Sequence, residues 1–350
     1  MNFCSDNVTG MSPEMLAALA AANEGSAMPY GDDDISQQLT TQFSDLFETE
    51  VVIFPVATGS AANALALSVL TPPFGSIYCH NQAHIHVDEC GAPEFYTGGA
   101  KLVTLDGANG KLVAEDLAIA LRQGGAGVVH HVQPSAISLT QASEAGTVYT
   151  IAEIEAIAQV AHTHRLPLHM DGARFANALV SLGCTPADMT WRAGVDVLSF
   201  GATKNGAMAA EAVVFFNPNQ AKDFIFRRKR GGHLFSKMRF LSAQLQAYLT
   251  DDLWLRNAQH ANHMAAVLAQ GLTKIPHVEL CYPVQANELF VKLPTEIIEG
   301  LQAEGFRFYV WSDSNLIRLV TAFNTQEAHV QKFLTTAQHY AQMATAQASV

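Results

Sequence analysis

The chain contains 350 residues, of which 49% are hydrophobic and 15% are charged, and its formal net charge is −12. Disorder is excluded, because a disordered chain combines low hydrophobicity with a high density of charge. A nucleic-acid partner is disfavoured, because domains that neutralise phosphates are basic and this chain is acidic. The length predicts about two domains, and the large apolar fraction predicts burial between subunits as well as within each one.

The first residues lack the basic and then apolar segments of a secretory signal. Residues 51–87 contain no charged side chain, but proline, glycine and asparagine interrupt the run too often for a membrane span. The five cysteines, an odd number with no Cys-x-x-Cys pair, predict reduced thiols. We therefore expect a cytoplasmic protein that does not enter a membrane.

Short apolar runs alternate with helical patterns over the first two thirds of the chain. The predicted strands are residues 51–54, 76–79, 101–105, 127–132, 167–170, 195–200 and 211–216. The predicted helices are residues 59–70, 114–122, 151–164 and 174–182. Because several of these strands are apolar almost throughout, the pattern predicts an α/β fold with a mostly parallel sheet covered on both faces.

The pattern changes after about residue 245. A long helical pattern covers residues 235–271, and a last helix is predicted from Gln326. The predicted strands between them are residues 278–281, 288–293, 306–310 and 317–320. We therefore predict a large domain over residues 1–245 and a smaller α+β domain over residues 246–350.

Three predicted strands are each followed by a turn whose groups could carry chemistry. Thr58, Gly59 and Ser60 open a helix, and the free amides of a helix N-terminus bind phosphate. Asp171 ends a buried strand, where α/β sheets bind ligands, and Lys204 lies on a turn of small residues after another. Each turn alone is also compatible with ordinary structure. Their order matches the three requirements of pyridoxal phosphate: a phosphate anchor, a partner for the pyridine nitrogen, and a lysine.

These turns belong to a series of motifs that covers nearly the whole chain. The motifs are Ser-Asp-Asn-Val-Thr-Gly at 5–10, Tyr-Gly-Asp-Asp at 30–33, the turn at 58–63, His84, Leu-His-Met-Asp-Gly-Ala-Arg at 168–174, the turn at Lys204, and Ile-Arg-Leu-Val-Thr at 317–321. With them the sequence resembles the L-threonine aldolases, a branch of the fold-type-I pyridoxal-phosphate enzymes. The resemblance implies a large domain with a mostly parallel seven-stranded sheet, a smaller C-terminal α+β domain, and a homotetramer, or at least a homodimer, with shared active sites.

The resemblance implies cofactor roles for residues at matching positions. Lys204 would carry pyridoxal 5′-phosphate covalently, and Asp171 would pair with its pyridine nitrogen. The backbone amides of Gly59 and Ser60 would hold the phosphate. His84 would stack on the cofactor ring near the substrate hydroxyl, which makes it the first candidate for the general base.

Substrate contacts are implied in the same way. Ser5, Arg318 and Arg174, the last also beside the cofactor, would bind the carboxylate of the amino acid. Arginine suits this role because its planar fork can meet a carboxylate with two hydrogen bonds. Tyr30 would also contact the substrate. Lys229, within a run of basic residues, would reach the phosphate in a neighbouring subunit; a solvated helix face is the equal alternative for that run.

One segment departs from the family pattern. Many threonine aldolases carry a histidine near the substrate hydroxyl in the loop before the aspartate strand, and this sequence has Glu144 at that position. A carboxylate changes both the hydrogen bonding and the charge there. The general base therefore stays open between His84, Glu144 and water, as does the preference for threonine or allo-threonine.

The predicted activity is the reversible retro-aldol cleavage of L-threonine, L-allo-threonine and related β-hydroxy-α-amino acids to glycine and an aldehyde. An aromatic β-eliminating lyase of the same fold is the nearest alternative. A metal-dependent hydrolase is a distant one: His84, His86 and Asp88 match part of a zinc motif, but Glu89 stands where that motif needs another histidine, so we expect no metal. We also expect an excess of positive charge at the site, because Lys204 and the two arginines would face anions.

Overall fold

A seven-stranded sheet forms the centre of the larger part of the protein, in a computed structural model that describes residues 1–311 and 315–348. The strands are β1 Val52–Val56, β2 Gly75–His80, β3 Lys101–Leu105, β4 Gln133–Thr140, β5 Leu168–Gly172, β6 Val197–Gly201 and β7 Glu211–Phe215. Their order across the sheet is β1-β7-β6-β5-β4-β2-β3. Strand β7 is antiparallel to both neighbours and the other pairs are parallel. The prediction of a mostly parallel seven-stranded sheet is confirmed.

Helices cover this sheet, and every residue of β2, β5, β6 and β7 is buried. The helices are α1 Pro13–Ala22, α2 Asp34–Phe47, α3 Gly59–Leu70, α4 His84–Val87, α5 Ala92–Thr97, α6 Ala114–Gln123, α7 Ile151–Thr163, α8 Phe175–Leu182, α9 Pro186–Met189, α10 Phe224–Arg230 and α11 Arg239–Leu249. Helix α7 begins at a capping box, in which Thr150 and Glu153 bond to each other's backbone N–H groups. Helix α3 is rich in alanine and leucine and is buried over residues 61–68. It therefore fixes the position of its own N-terminus against the sheet.

The C-terminal part contains a second, antiparallel sheet in the order β10-β11-β9-β8. Its elements are α12 Leu253–Leu272, β8 Glu279–Leu280, β9 Glu288–Lys292, α13 Thr295–Ala303, β10 Tyr309–Trp311, β11 Leu316–Val320 and α14 Glu327–Ala348. Phe3, from the other end of the chain, packs edge-on against Phe333 in this smaller core, with ring centroids 5.5 Å apart. Helix α12 belongs to both cores, because Trp254 lies in the larger core and Leu268 in the smaller. The domain division at residues 245/246 stays a prediction.

Two predicted elements differ from the structure. The strand predicted at residues 127–132 is wrong: Gly127 has a φ of +79° and Val129 is 90% exposed. The strand lies later, at Gln133–Thr140. Ser138 and Thr140 interrupt its buried apolar residues, so the sequence shows no continuous apolar run there. The long pattern at 235–271 is two helices, α11 and α12, because the backbone between them turns at Asp251 and Asp252 with positive φ.

Candidate active site

One cavity of about 340 Å³ lies at the edge of the large sheet where β1, β5 and β6 end. In an open α/β sheet this edge is where ligands bind. The side chains or backbone of Gly59, Ser60, His84, Asp171 and Lys204 all line it. These five, separated by up to 145 positions (204 − 59), are thus brought together by the sheet topology.

The turn after β1 forms one wall of the cavity. The hydroxyl of Thr58 caps α3 by accepting the N–H of Ala61 at 3.2 Å. The other N–H groups of the first helical turn have no acceptor within the helix and carry partial positive charge. A Cβ atom added to Gly59 would meet no atom within 4 Å, so the backbone there faces open space. This wall fits an anion such as phosphate.

Asp171, at the end of β5, is buried and acts only as an acceptor. Its Oδ2 accepts a hydrogen bond from Asn63 Nδ2 at 2.8 Å, and its Oδ1 accepts the N–H of Ala173 at 3.0 Å. Asn63 Nδ2 also donates to Glu89 Oε1 at 2.9 Å. Asn63 Oδ1 is buried without a hydrogen-bond partner among the described residues, although it borders the cavity. An unpaired buried oxygen of this kind indicates that a ligand completes the site.

His84 is held by the same network. Its Nδ1 lies 2.8 Å from Glu89 Oε1, which leaves Nε2 free in the neutral ring when Nδ1 donates to the carboxylate. The hydrogen bond to Glu89 raises the pKa of His84, against the effect of burial. Burial raises the pKa of Glu89, although the hydrogen bonds from His84 and Asn63 oppose it. The histidine is thus oriented by a buried carboxyl group.

Lys204 lies on a short 3₁₀ turn directly after β6. The side-chain amide of Asn205 donates to the hydroxyl of Tyr248 at 2.8 Å. Gly201, just before the turn, approaches the loop after β5 so closely that a Cβ atom there would lie 2.6 Å from the Ala173 carbonyl oxygen. The turn is therefore anchored on one side and packed against the end of β5 on the other.

Glu211, which the sequence analysis missed, begins β7 and also lines the cavity. Its carboxyl oxygens accept the N–H groups of Ala202 and Thr203 at 3.1 and 3.4 Å. Burial raises the pKa of Glu211 to about 7, although those hydrogen bonds and the charge of Lys204 act in the opposite direction. A titratable carboxyl group therefore supports the lysine turn.

The two predicted substrate arginines lie in a buried cluster with acids. Arg174 donates from Nε and Nη2 to the two carboxylate oxygens of Asp6 at 2.8 and 3.1 Å. The carboxylate of Glu288 lies 3.1 Å from Arg174 Nη1 and 3.3 Å from Arg318 Nε. Arg318 also donates to the carbonyl of Cys4 at 3.1 Å. The expected excess of positive charge is wrong for this cluster, because each arginine is paired with a buried carboxylate.

The donor set matches what pyridoxal phosphate requires. An anion cradle, an acceptor-only carboxylate and a lysine face one cavity, which is also lined by Asn63 with its unpaired amide oxygen. The residues present therefore fit that cofactor.

Comparisons with known proteins point to the same chemistry. The family model of the beta-eliminating lyases matches residues 2–295. The chain is 45% identical to a low specificity L-threonine aldolase of a Pseudomonas species (strain NCIMB 10558), over 94% of this chain and 95% of that protein. It is 44% identical to the enzyme of the same name from Pseudomonas aeruginosa, over the same shares. The chain belongs to the threonine aldolases of the beta-eliminating lyase family.

A solved structure agrees with this assignment. The threonine aldolase of Leishmania major superposes with a TM-score of 0.91 at 29% sequence identity, covering 97% of this chain and 99% of that one. The fold of a threonine aldolase, with the mostly parallel seven-stranded sheet and the smaller α+β region, is thereby confirmed.

The remaining predicted residues of this threonine aldolase are not among those that line the cavity of Lys204. Burial raises the pKa of Glu144, and the charge of Lys204 is the strongest effect in the opposite direction. Ser5 accepts the N–H of Asn7 at 3.1 Å and lines a separate pocket between the N-terminal segment and the C-terminal part. The exposed side chains of Tyr30 and Lys229 lie together, the ammonium 4.8 Å from the ring centroid.

The arrangement of the histidines in this threonine aldolase does not form a metal site. His84 faces the cavity, whereas His86 and Asp88 are exposed on a short helix. Within residues 1–311 and 315–348, no three His, Cys, Asp or Glu side chains come together in a way that could hold a metal ion. The hydrolase alternative therefore has no support in the described geometry.

Sequence reasoning found Asp171 and Glu144 but missed four other acids of the site. Asp6, Glu89, Glu211 and Glu288 each orient a predicted residue or its turn, and all are buried. A signal existed for Asp6, which stands inside the Ser-Asp motif, and for Glu89, five positions after His84. Glu211 and Glu288 open apolar strands, and nothing local in the sequence marks them as buried.

Proposed function

We propose that this threonine aldolase uses pyridoxal phosphate to cleave L-threonine, L-allo-threonine and related L-β-hydroxy-α-amino acids reversibly to glycine and an aldehyde. The observation that carries the proposal is the convergence of Asp171, Lys204 and the α3 N-terminus on one cavity. When bound, the cofactor supplies an aldehyde that couples to amines and a ring that withdraws electrons from the Cα–Cβ bond.

Each of these groups would have a separate role in holding the cofactor. The amides of Gly59 and Ser60 hold the phosphate through backbone N–H groups. Asp171 would pair with the ring nitrogen, because its carboxylate is fixed as an acceptor by Asn63. Lys204 would hold the cofactor through its side-chain amine.

Arg174, Arg318 and Ser5 hold the substrate carboxylate in this proposal. By fixing the position of the carboxylate, these residues would select the bond at Cα that breaks as well as adding affinity. The carboxylate of Glu288 pairs with both guanidinium groups and so holds them in place.

Arg318→Ala is expected to raise KM strongly and to lower kcat, because the substrate loses one of its two guanidinium partners. Removing one side of a charge pair of this kind costs on the order of 2–5 kcal/mol, which corresponds to at least about 30-fold in kcat/KM. Steady-state kinetics with L-allo-threonine measures the effect. Arg307→Ala, in the same part of the chain but with an exposed side chain, is the matched control. Near-normal kinetics of Arg318→Ala would remove the assignment.

His84 is the proposed general base that takes the proton of the β-hydroxyl, with Glu144 as the other candidate. A base must be unprotonated, and the bond to Glu89 raises the pKa of His84, so activity should fall as the pH drops through a value above 6.5. Glu89→Gln weakens that bond and lowers the pKa of His84. The acid limb of the kcat profile is therefore expected to move to lower pH.

The control for this prediction is Asp88→Asn, which removes an exposed carboxylate next to Glu89. Its acid limb should stay where it is in the unmodified protein. If Glu89→Gln also leaves the limb in place, His84 is not the titrating base. Glu144→Gln would then be the next variant to profile.

Product analysis tests the proposed reaction against its nearest alternative. The purified protein is incubated separately with L-threonine, L-allo-threonine, phenylserine and tyrosine. Glycine together with acetaldehyde or benzaldehyde supports the aldolase. Pyruvate and a released aromatic group would instead identify an aromatic β-eliminating lyase.

We propose further that the chain assembles as a homotetramer, in which Lys229 and Tyr30 reach the site of a neighbouring subunit. Phe226, on the same helix as Lys229, is 69% exposed and would be covered by such contacts.

We also propose the division into domains at 1–245 and 246–350. A cytoplasmic location is in keeping with the five free cysteines. Among the described residues, no helix is long and apolar enough to cross a membrane.

A further inference from the structure

Glu211 lies between the two turns that would hold the ends of the cofactor. In the sheet it pairs with Val56 on one side and with Gly201 on the other. Val56 leads into the phosphate turn at the start of α3, and Gly201 leads into the turn of Lys204. The carboxyl group is 6% exposed and borders the cavity. It is therefore a buried acid next to an anion cradle.

The surroundings of Glu211 contain little positive charge. Its hydrogen-bond donors among the described residues are the backbone N–H groups of Ala202 and Thr203 and the side chain of Thr203. Lys204 is the cation that lowers its pKa. The other titratable or charged groups around it are Tyr248 on α11, Asp171 and His84 across the cavity, and His233 and Arg228 beside the phosphate turn.

Among these groups, His233 is uncharged and so adds no positive charge near the start of α3. Its Nδ1 accepts the N–H of Ala57 at 3.3 Å, which requires the unprotonated ring, and burial lowers its pKa. Arg228 stays charged across the neutral range and so adds no pH dependence there. Glu211 and His84 are left as the groups of the cavity whose charge can change near neutral pH.

A phosphate dianion at the start of α3 and an ionised Glu211 would repel each other inside one partly desolvated cavity. A like charge disfavours the ionised form of a carboxyl group, as burial already does here. Protonation removes the repulsion and converts the acid into a hydrogen-bond donor. Because burial has already raised the pKa of Glu211 to about 7, little further change is needed for it to hold a proton at neutral pH.

We propose, on the basis of the function proposed above, that Glu211 takes up one proton from solvent when the phosphate group of the cofactor binds at the start of α3. The protonated carboxyl group then donates a hydrogen bond towards that anion. Glu211 is thus a positioning residue that makes occupancy of the phosphate cradle dependent on pH, in addition to its support of the lysine turn.

Sulfate binding to the full chain freed of cofactor tests the inference. Sulfate resembles phosphate in shape but keeps its charge between pH 6 and pH 9, so the probe adds no titration of its own. The dissociation constant is measured by calorimetry across that range, for the unmodified protein, for Glu211→Gln and for His84→Gln. The number of protons taken up is measured in parallel from two buffers of different ionisation enthalpy.

Above pH 7 the dissociation constant of the unmodified protein is expected to rise by about 10-fold per pH unit, the slope for one linked proton. Glu211→Gln should flatten the slope, whereas His84→Gln should keep it. An equal slope in Glu211→Gln, or no proton uptake by the unmodified protein near pH 7, would overturn the inference. If Glu211→Gln does not fold, proton uptake by His84→Gln decides between the two groups: uptake that persists supports Glu211, and uptake that disappears overturns the inference.

Failure of this inference is distinct from failure of the proposed function. Pyridoxal phosphate that binds and supports cleavage, together with sulfate affinity that does not depend on pH, would remove only the role of Glu211. If neither pyridoxal phosphate nor sulfate binds at any pH, the proposed function itself fails.

Discussion

Lys204→Ala is expected to lose at least about 10³-fold of the aldolase activity, because no other lysine lines the cavity among the described residues. The variant should fold normally, since the turn is held by Asn205 and by backbone N–H groups and not by the lysine side chain. Cleavage of L-allo-threonine, followed as acetaldehyde release, measures the loss. Circular dichroism of the same sample verifies the fold.

Lys274→Ala is the control for that experiment, because it removes an exposed lysine far along the chain in the C-terminal part. It should keep full activity. A Lys204→Ala protein that retained more than about a tenth of the activity would contradict the assignment, since loss of a covalent anchor cannot have so small an effect.

Arg174→Ala is expected to destabilise the protein by about 3–5 kcal/mol, the cost of breaking a buried ion pair from one side. Arg174 is 6% exposed, and its partners Asp6 and Glu288 are 1% and 0% exposed in their side chains. Both carboxylates would stay buried with less compensating charge. Urea unfolding measures the effect as a lower midpoint.

Arg192 offers a matched control on the surface. It also has two acidic partners, Glu48 and Asp188, at 2.8 and 3.0 Å, but its side chain is 41% exposed. Arg192→Ala should therefore change the unfolding midpoint only slightly, because water and salt screen exposed pairs. Equal shifts for the two variants would show that burial does not set the strength of the Arg174 cluster.

The sequence predicts well the positions of the site residues that directly follow a strand. Asp171 and Lys204 each follow a short apolar strand, and parallel strands bring their carboxyl ends to one edge. Gly59 and Ser60 begin a helix directly after another strand, which marks them as an anion cradle. In each case the signal is local: a strand, a turn and one polar group.

The partners of these residues could not be predicted in the same way. Asp6 meets Arg174 across 168 positions, and neither residue type indicates in the sequence whether it is buried. Strand β4 was missed for a related reason. Its buried Ser138 bonds to the ring of His169, which burial keeps neutral by lowering its pKa to about 4, so a polar residue occupies a core position.

The position of the covalent link to the cofactor is the most direct test of the role proposed for Lys204. The protein is loaded with pyridoxal phosphate and treated with borohydride, which makes a lysine–aldehyde linkage permanent, and its peptides are mapped by mass spectrometry. We expect the modification on Lys204. Modification of Lys229 or another lysine in its place, or a fully active protein that carries no modification, would contradict that role.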